Sequence, residues 1–376
     1  EIYTLSLHDA LPISMAVLTD ENAKHPPLEI LITVDEESGM TGANNIDPEH
    51  ISGKILINMD SEEEGKLLVS CAGGLRAAIN VNAEWGNAPK DLISYTVSIG
   101  GLMGGHSGTE IDKERGNANK LLGRVLHDLY KETPFNLSYI NGGSRANVMP
   151  SEAEAVILMS PDKLQATENK IKEWDEILKN EFNISDPNVA VNVSKSEKAF
   201  DKILDSTATI KVIDLLMAIP NGIQTMSKSI KGLVESSSNI GVITTNNKGI
   251  CFEFSIRSSV SSRKDYIKHQ INTIAKLAGA DFEANGDYPA WEYKPDSKLR
   301  EVFEKVYKDK YDKEPEIVAV HAGVECGIFG EKIQGLDMIS FGPSAYDAHT
   351  TNEHVSISSV KRTYEYLLAV LKELKQ

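Results

Sequence analysis

The chain has 376 residues, of which 41% are hydrophobic and 25% charged, and it carries a formal net charge of −16. That length exceeds the size at which single cores stop growing, so about two domains are expected, and the composition excludes collagen-like, disordered and disulfide-scaffold classes. The acidic balance argues against a nucleic-acid backbone or an anionic membrane surface as the main partner. No apolar run reaches the ~18 residues of a membrane span. Cys71, Cys251 and Cys326 are odd in number and widely spaced, which predicts a reducing, cytoplasmic setting.

Residues 1–14, EIYTLSLHDALPIS, precede the first methionine, Met15. They resemble translated sequencing-adapter sequence and are set aside from fold reasoning; the His8-Asp9 pair within them is not taken as a metal site. From Met15 a helix end and a Pro-marked loop lead to Leu28, Ile30, Ile32 and Val34, which alternate as in a strand. Asp35, Glu36 and Glu37 follow at once, so carboxylates arrive at a strand's C-terminal end, where open α/β sheets place their chemistry. Adjacent glutamates point in different directions, so one can bind a metal while the other handles a proton on water. The same letters also describe a solvated acidic turn.

Ile55 to Met59 repeats the arrangement and ends in Asp60, which as a lone acid after a strand also reads as a turn residue or helix cap. Leu67 to Cys71 is a third strand, and Ala72-Gly73-Gly74 predicts a sharp turn. Tyr95, Val97 and Ile99 alternate as a strand before GLMGGHSG, which sets His106 and Ser107 among glycines. A helix follows over 117–131, with Leu121, Leu122, Val125, Leu126 and Leu129 on one face. Strands at 137–140 and 155–159 come next, then Ser160-Pro161, a helix start with Ser as N-cap. The helix it opens carries Leu164, Ile171, Trp174 and Leu178 on one face.

A strand near 189–193, helical segments between 200 and 217, paired strands at 241–245 and 250–257, and a helix over 266–278 capped by Gly279 complete this part. Helices alternating with paired strands predict an α+β domain over 89–289, inserted into the first domain. The chain closes with a helix bearing Leu299, Phe303 and Val306, a strand at 317–320, and HAGVECG with Glu325. A strand at 338–341, a loop with His349 and an amphipathic helix follow. Neutral imidazole is the commonest metal ligand, although a lone loop histidine is also often just exposed.

DEESGMTGA, INMDSEEEG, CAGG, GGHSG, GNANKLL, NGG, HAGVECG and the His-containing terminal loop, in that order from Met15, resemble the aminoacylhistidine dipeptidases, the peptidase D group of the M20 di-metal peptidases. The resemblance implies an α/β fold: a di-zinc peptidase catalytic domain, 15–88 with 290–376, interrupted by an α+β lid, 89–289. It also implies two divalent metal ions, zinc with cobalt or manganese as alternatives, a dipeptide substrate of the Xaa-His type, and a homodimer. Carried over by position, Glu36 matches the general base, Glu37 a ligand of one metal, Asp60 a ligand of the other, and His349 a ligand on the metal of Glu37. His106 matches a lid histidine that holds the substrate or its tetrahedral intermediate, in many relatives across a dimer. Asn147 and Arg257 match lid positions for the substrate carbonyl and carboxylate. Glu325 stands beside them as a substrate-binding candidate whose plain reading is a solvated acid.

The departures are specific. The family's His-x-Asp motif and the following Gly-x-Asp-Asn-like loop, which carry the first metal ligand and the bridging aspartate, have no counterpart from Met15 onward. Catalytic zinc uses about three protein ligands, so the expectation is a fragment with an incomplete catalytic domain, weak metal binding and little activity of its own. DAHTTNE replaces a Pro-rich His-Ser-Pro-Asp-Glu-like stretch, with Glu353 keeping the acidic position. An N-acyl amino acid hydrolase of the same family and a non-catalytic binding homologue are the alternative readings.

Overall fold

The computed structural model describes residues 2–5, 10–196, 200–347 and 350–375. Its contacts divide the chain into two compact units, one of residues 1–73, 228–231 and 288–376, the other of 74–227 and 232–287.

The first unit is built on a six-stranded sheet in the order Glu316–Val320, Lys66–Cys71, Asp337–Ser340, Ile55–Asn58, Ile2–Leu5, Glu29–Ile32. Pairing is parallel except where Asp337–Ser340 meets Lys66–Cys71. Side chains one residue apart in a strand point to opposite faces, and the core divides accordingly. Ile57 and Ile339 join Phe303, Tyr366, Leu367 and Val370 on one face, while Leu56 and Met338 join Trp291, Cys326 and Phe329 on the other. The segment set aside on sequence grounds takes a place here: Ile2–Leu5 lies between two strands, and helix Ala10–Thr19 buries Ile13 and Val17. Its His8-Asp9 pair lies outside the described residues. At the sheet edge, Ile32 and Val34 are exposed apolar side chains.

The second unit is a nine-stranded sheet with helices Ala118–Glu132, Leu164–Glu181, Ser206–Ala218 and Ser261–Leu277. The face predicted for the first of these helices, Leu121, Leu122, Val125, Leu126 and Leu129, is buried in this unit's core. Sequence had set the junction at 88/89, whereas the contacts set it at 73/74, because strand Gly73–Asn82 joins the second sheet.

Two local expectations change with it. Gly73 and Gly74 do not turn but open that strand. Gly73 is needed for close approach, since a Cβ there would stand 2.6 Å from Ala290 N and 2.7 Å from Tyr288 O, both main-chain atoms. Ser160 does not cap through its oxygen; its hydroxyl donates to Asp162, and a short 3-10 turn, Pro161–Lys163, precedes the helix.

Candidate active site

In the first unit the chemistry gathers at strand C-termini. Beyond Glu29–Ile32, Asp35 adopts left-handed backbone, φ 61°, and caps a single helical turn, Glu36–Gly39. Aspartate tolerates that conformation better than bulkier residues, and the Thr41 hydroxyl donates to its carboxylate. Glu36 therefore leaves the chain from a fixed corner and is half-buried. The side chain of Glu37, together with His349, lies outside the described residues. A hairpin, Ala345–Tyr346 with His354–Val355, brackets the latter's loop, and the rings of Tyr346 and His354 stack across it.

Asp60 follows strand Ile55–Asn58, as predicted. Glu325, expected as either a substrate contact or a solvated acid, is neither exposed nor unanchored. It is 3% exposed in the first turn of helix Glu325–Lys332, and its Oε2 accepts the Thr33 hydroxyl at 2.9 Å. Burial pushes its carboxyl up to about 7; the Thr33 bond works against this, and the nearby charge of Asp60 adds to it. Among the described residues its buried Oε1 has no hydrogen-bond partner. Thr33, two residues before Asp35, was not singled out in sequence; a lone Thr at a strand end carries no signal there.

Carboxylate oxygens such as those of Glu325 and Asp60 have the donor chemistry that suits a divalent cation. Among the described residues, which leave out the side chains of Glu37 and His349, no three His, Cys, Asp or Glu side chains gather into a metal-holding group.

In the second unit the structure brings His106, Asn147 and Arg257 into one neighbourhood. Gly105–His106 pairs with Val148–Met149 as a two-stranded ribbon, and Ser107 N donates to Asn147 O at 3.0 Å. Gly105 has φ 131°, and a Cβ on it would stand 2.7 Å from both Arg115 Nη1 and Glu110 Oε2. Those two side chains hold the loop: Glu110 accepts from His106 N at 2.9 Å, and Arg115 donates to Gly104 O at 2.6 Å.

The ring of His106 is oriented by its own turn. Its Nδ1 accepts from Gly108 N at 3.3 Å and Thr109 N at 3.1 Å. An acceptor at Nδ1 in a neutral ring places the proton on Nε2. Burial, reinforced by the positive charge of Arg257 and opposed by Glu110, lowers the imidazole below its ordinary pKa. Near neutral pH the ring is thus an uncharged Nε2–H donor. Arg257 sits in strand Gly249–Ser258, buried at 9% exposure in a row of buried Ser236, Ser237 and Ser258. A cavity of about 650 Å³ in this unit is walled in part by Gly105 and Val148, but His106, Asn147 and Arg257 do not line it.

Comparison with known proteins gives the family. A peptidase dimerisation domain matches residues 97–186, inside the second unit. The chain is 38% identical over 371 residues to the cytosol non-specific dipeptidase of Escherichia coli K12, covering 96% of this chain and 74% of that protein. The crystal structure of an aminoacylhistidine dipeptidase from Vibrio alginolyticus superposes with a TM-score of 0.93 at 34% identity, over 97% of this chain and 74% of the other. On that identity and superposition over nearly its whole length, the chain belongs to the M20 metallopeptidase family, in its aminoacylhistidine dipeptidase group.

Proposed function

We propose that this protein hydrolyses dipeptides, Xaa-His dipeptides among them, in a metal-dependent reaction, and that it does so as a cytosolic homodimer. The observation that carries the reading is the His106 ring, locked by two backbone amides as a neutral Nε2–H donor in a chain 38% identical to a dipeptidase. In this reading Glu37, Asp60 and His349 would contribute to a site for two divalent ions, zinc in the first instance with cobalt or manganese as substitutes, without the family's His-x-Asp and bridging-aspartate ligands, so that the ions would be held weakly. When bound, the ions polarise the scissile carbonyl and make water acidic enough to lose a proton near neutral pH.

Glu36 takes that proton and returns it to the leaving amine. His106 donates its Nε2–H to the carbonyl oxygen as negative charge develops there, a stabilisation that strengthens toward the transition state. The Asn147 amide orients the carbonyl. Arg257 takes the terminal carboxylate by a forked, two-bond contact, which favours substrates ending within one residue of the scissile bond.

The deciding experiment compares turnover of an Xaa-His dipeptide, a dipeptide without histidine and an N-acetyl amino acid, each with zinc and with chelator. Zinc-dependent cleavage of the dipeptides supports the reading. Preference for the N-acetyl substrate would move the activity to an amidohydrolase, and no zinc-dependent turnover of any of the three would refute hydrolysis by this chain.

A further inference from the structure

The ribbon that carries His106 and Asn147 rests on a buried seam of asparagine side chains. Asn239, 1% exposed in strand Val234–Asn246, donates from Nδ2 to Ala146 O and to Val148 O, both at 2.9 Å. Those carbonyls flank Asn147. The Oδ1 of Asn239 accepts from Asn117 Nδ2 at 3.0 Å, so one amide uses both protons and its oxygen, and its orientation is determined.

Asn117 is itself fixed. It caps helix Ala118–Glu132, with Oδ1 accepting from Lys120 N at 3.1 Å, and its Nδ2 also reaches Asn221 Oδ1 and Ile240 O. Just past Asn239 the strand register shifts between Ile240 and Val242. Gly241 lies at that bulge, and a Cβ there would stand 2.4 Å from Ala146 O. The segment around Asn147 is thereby seated directly on the strand backbone, with Asn239 as its only side-chain hydrogen-bond donor among the described contacts to Ala146 O and Val148 O.

We propose that Asn239 is a positioning residue: by holding the carbonyls on either side of Asn147 it fixes the ribbon that aims His106 and Asn147. The inference rests on the reading of His106 and Asn147 given above and extends it to a residue that touches neither the substrate nor the reacting atoms. A merely structural asparagine would stabilise the unit without influencing the tautomer of a ring it does not contact. Asn239 acts on that ring through the Ser107 N to Asn147 O bond and the pairing of Val148 with His106.

The test is the imidazole nitrogen spectrum of His106 and the exchange rate of the Ser107 amide, measured on the full chain. Asn239→Asp keeps the shape of the side chain but turns oxygen toward two carbonyl oxygens. The control is Asn119→Ala, in the same seam but donating only to Gly142 O and Ile240 O. The unmodified chain and N119A should show His106 as one Nε2–H tautomer. N239D should show a tautomer mixture and Ser107 exchange accelerated by about 100-fold or more.

An unchanged spectrum in N239D, or an equal disturbance in N119A, overturns the proposal. Should N239D fail to fold, exchange in the unmodified chain decides, with a Ser107 protection factor of about 100 or more supporting the proposal and a smaller one overturning it. His106→Ala tests the underlying reading separately. Unchanged turnover there removes the role of His106, while the spectrum still reports whether Asn239 positions the ring.

Discussion

Asp186 closes the loop that carries His106, and its removal makes a quantitative prediction. The side chain is fully buried, accepting from Met103 N at 2.8 Å, Gly116 N at 2.8 Å and the Ser185 hydroxyl at 3.0 Å. Two backbone amides, one on each side of His106, thus converge on one carboxylate. Hydrogen bonds to a charged group contribute about 1.5–3 kcal/mol each, so Asp186→Ala, which strands both amides, should cost about 3–6 kcal/mol. Asp186→Asn retains one acceptor and points an N–H at the second amide, so about 2–3 kcal/mol is expected. For a unit of roughly 200 residues each kcal/mol lowers the midpoint by about 2–4 °C. D186A should therefore melt about 6–24 °C earlier, as followed by circular dichroism, with urea midpoints falling in parallel. Melting of D186N within about 1 °C of the unmodified chain would refute the reasoning, because it would mean the paired amides are satisfied without the charge.

Further expectations follow from other contacts. Lys120 Nζ donates to Leu216 O, Met217 O and Ile219 O at 2.7–2.8 Å, capping helix Ser206–Ala218; Lys120→Met should lower stability by about 2–3 kcal/mol in urea titrations. Gly73→Ala forces a Cβ against main-chain atoms of 288–290 and should cost about 1–3 kcal/mol, which a matched urea titration would register.

Glu110 is held down to about 2, chiefly by its bond to Lys113 and then by His106 N. Its folded-state pKa lies below the unfolded value, so its contribution is present above about pH 4.5 and is lost as pH falls through about 2. The His106 amide should accordingly stay protected from exchange at pH 4 and lose protection near pH 2; in Glu110→Gln that acid step should be absent. Asp60→Asn should weaken zinc binding at least ~10-fold by calorimetry, and unchanged affinity would remove Asp60 from the ligand set.

Much of the fold could be read from apolar spacing, for physical reasons that also explain the misses. Helices such as Ala118–Glu132 and Ile357–Leu374 bury one strong stripe, and the stripe is visible at a period of 3.6. Strand Asp281–Tyr288 was missed because DFEANGDY is exposed along most of its length, so no alternation marks it. Strand Val234–Asn246 was anticipated only from 241, since Ser236, Ser237, Ser238 and Asn239 look like loop letters although all are buried. Burial of polar residues depends on partners far away in sequence, and spacing along the chain does not encode them. The site shows the same division. Glu36, Asp60 and His106 stood out through their local motifs, whereas Thr33, Asp186 and Asn239 act through contacts 292, 83 and 93 residues distant.

The two amides that grip Nδ1 of His106 also decide what the ring cannot do. A proton could enter at Nδ1 only by displacing both Gly108 N and Thr109 N, so the imidazole gives a hydrogen bond without taking part in proton exchange. In the proposed reaction, proton transfer is then left to Glu36, and acid and base work is separated from charge stabilisation. Under the proposed role, a ring bound in this way would have nothing to reset after turnover and would leave each cycle in the tautomer with which it entered.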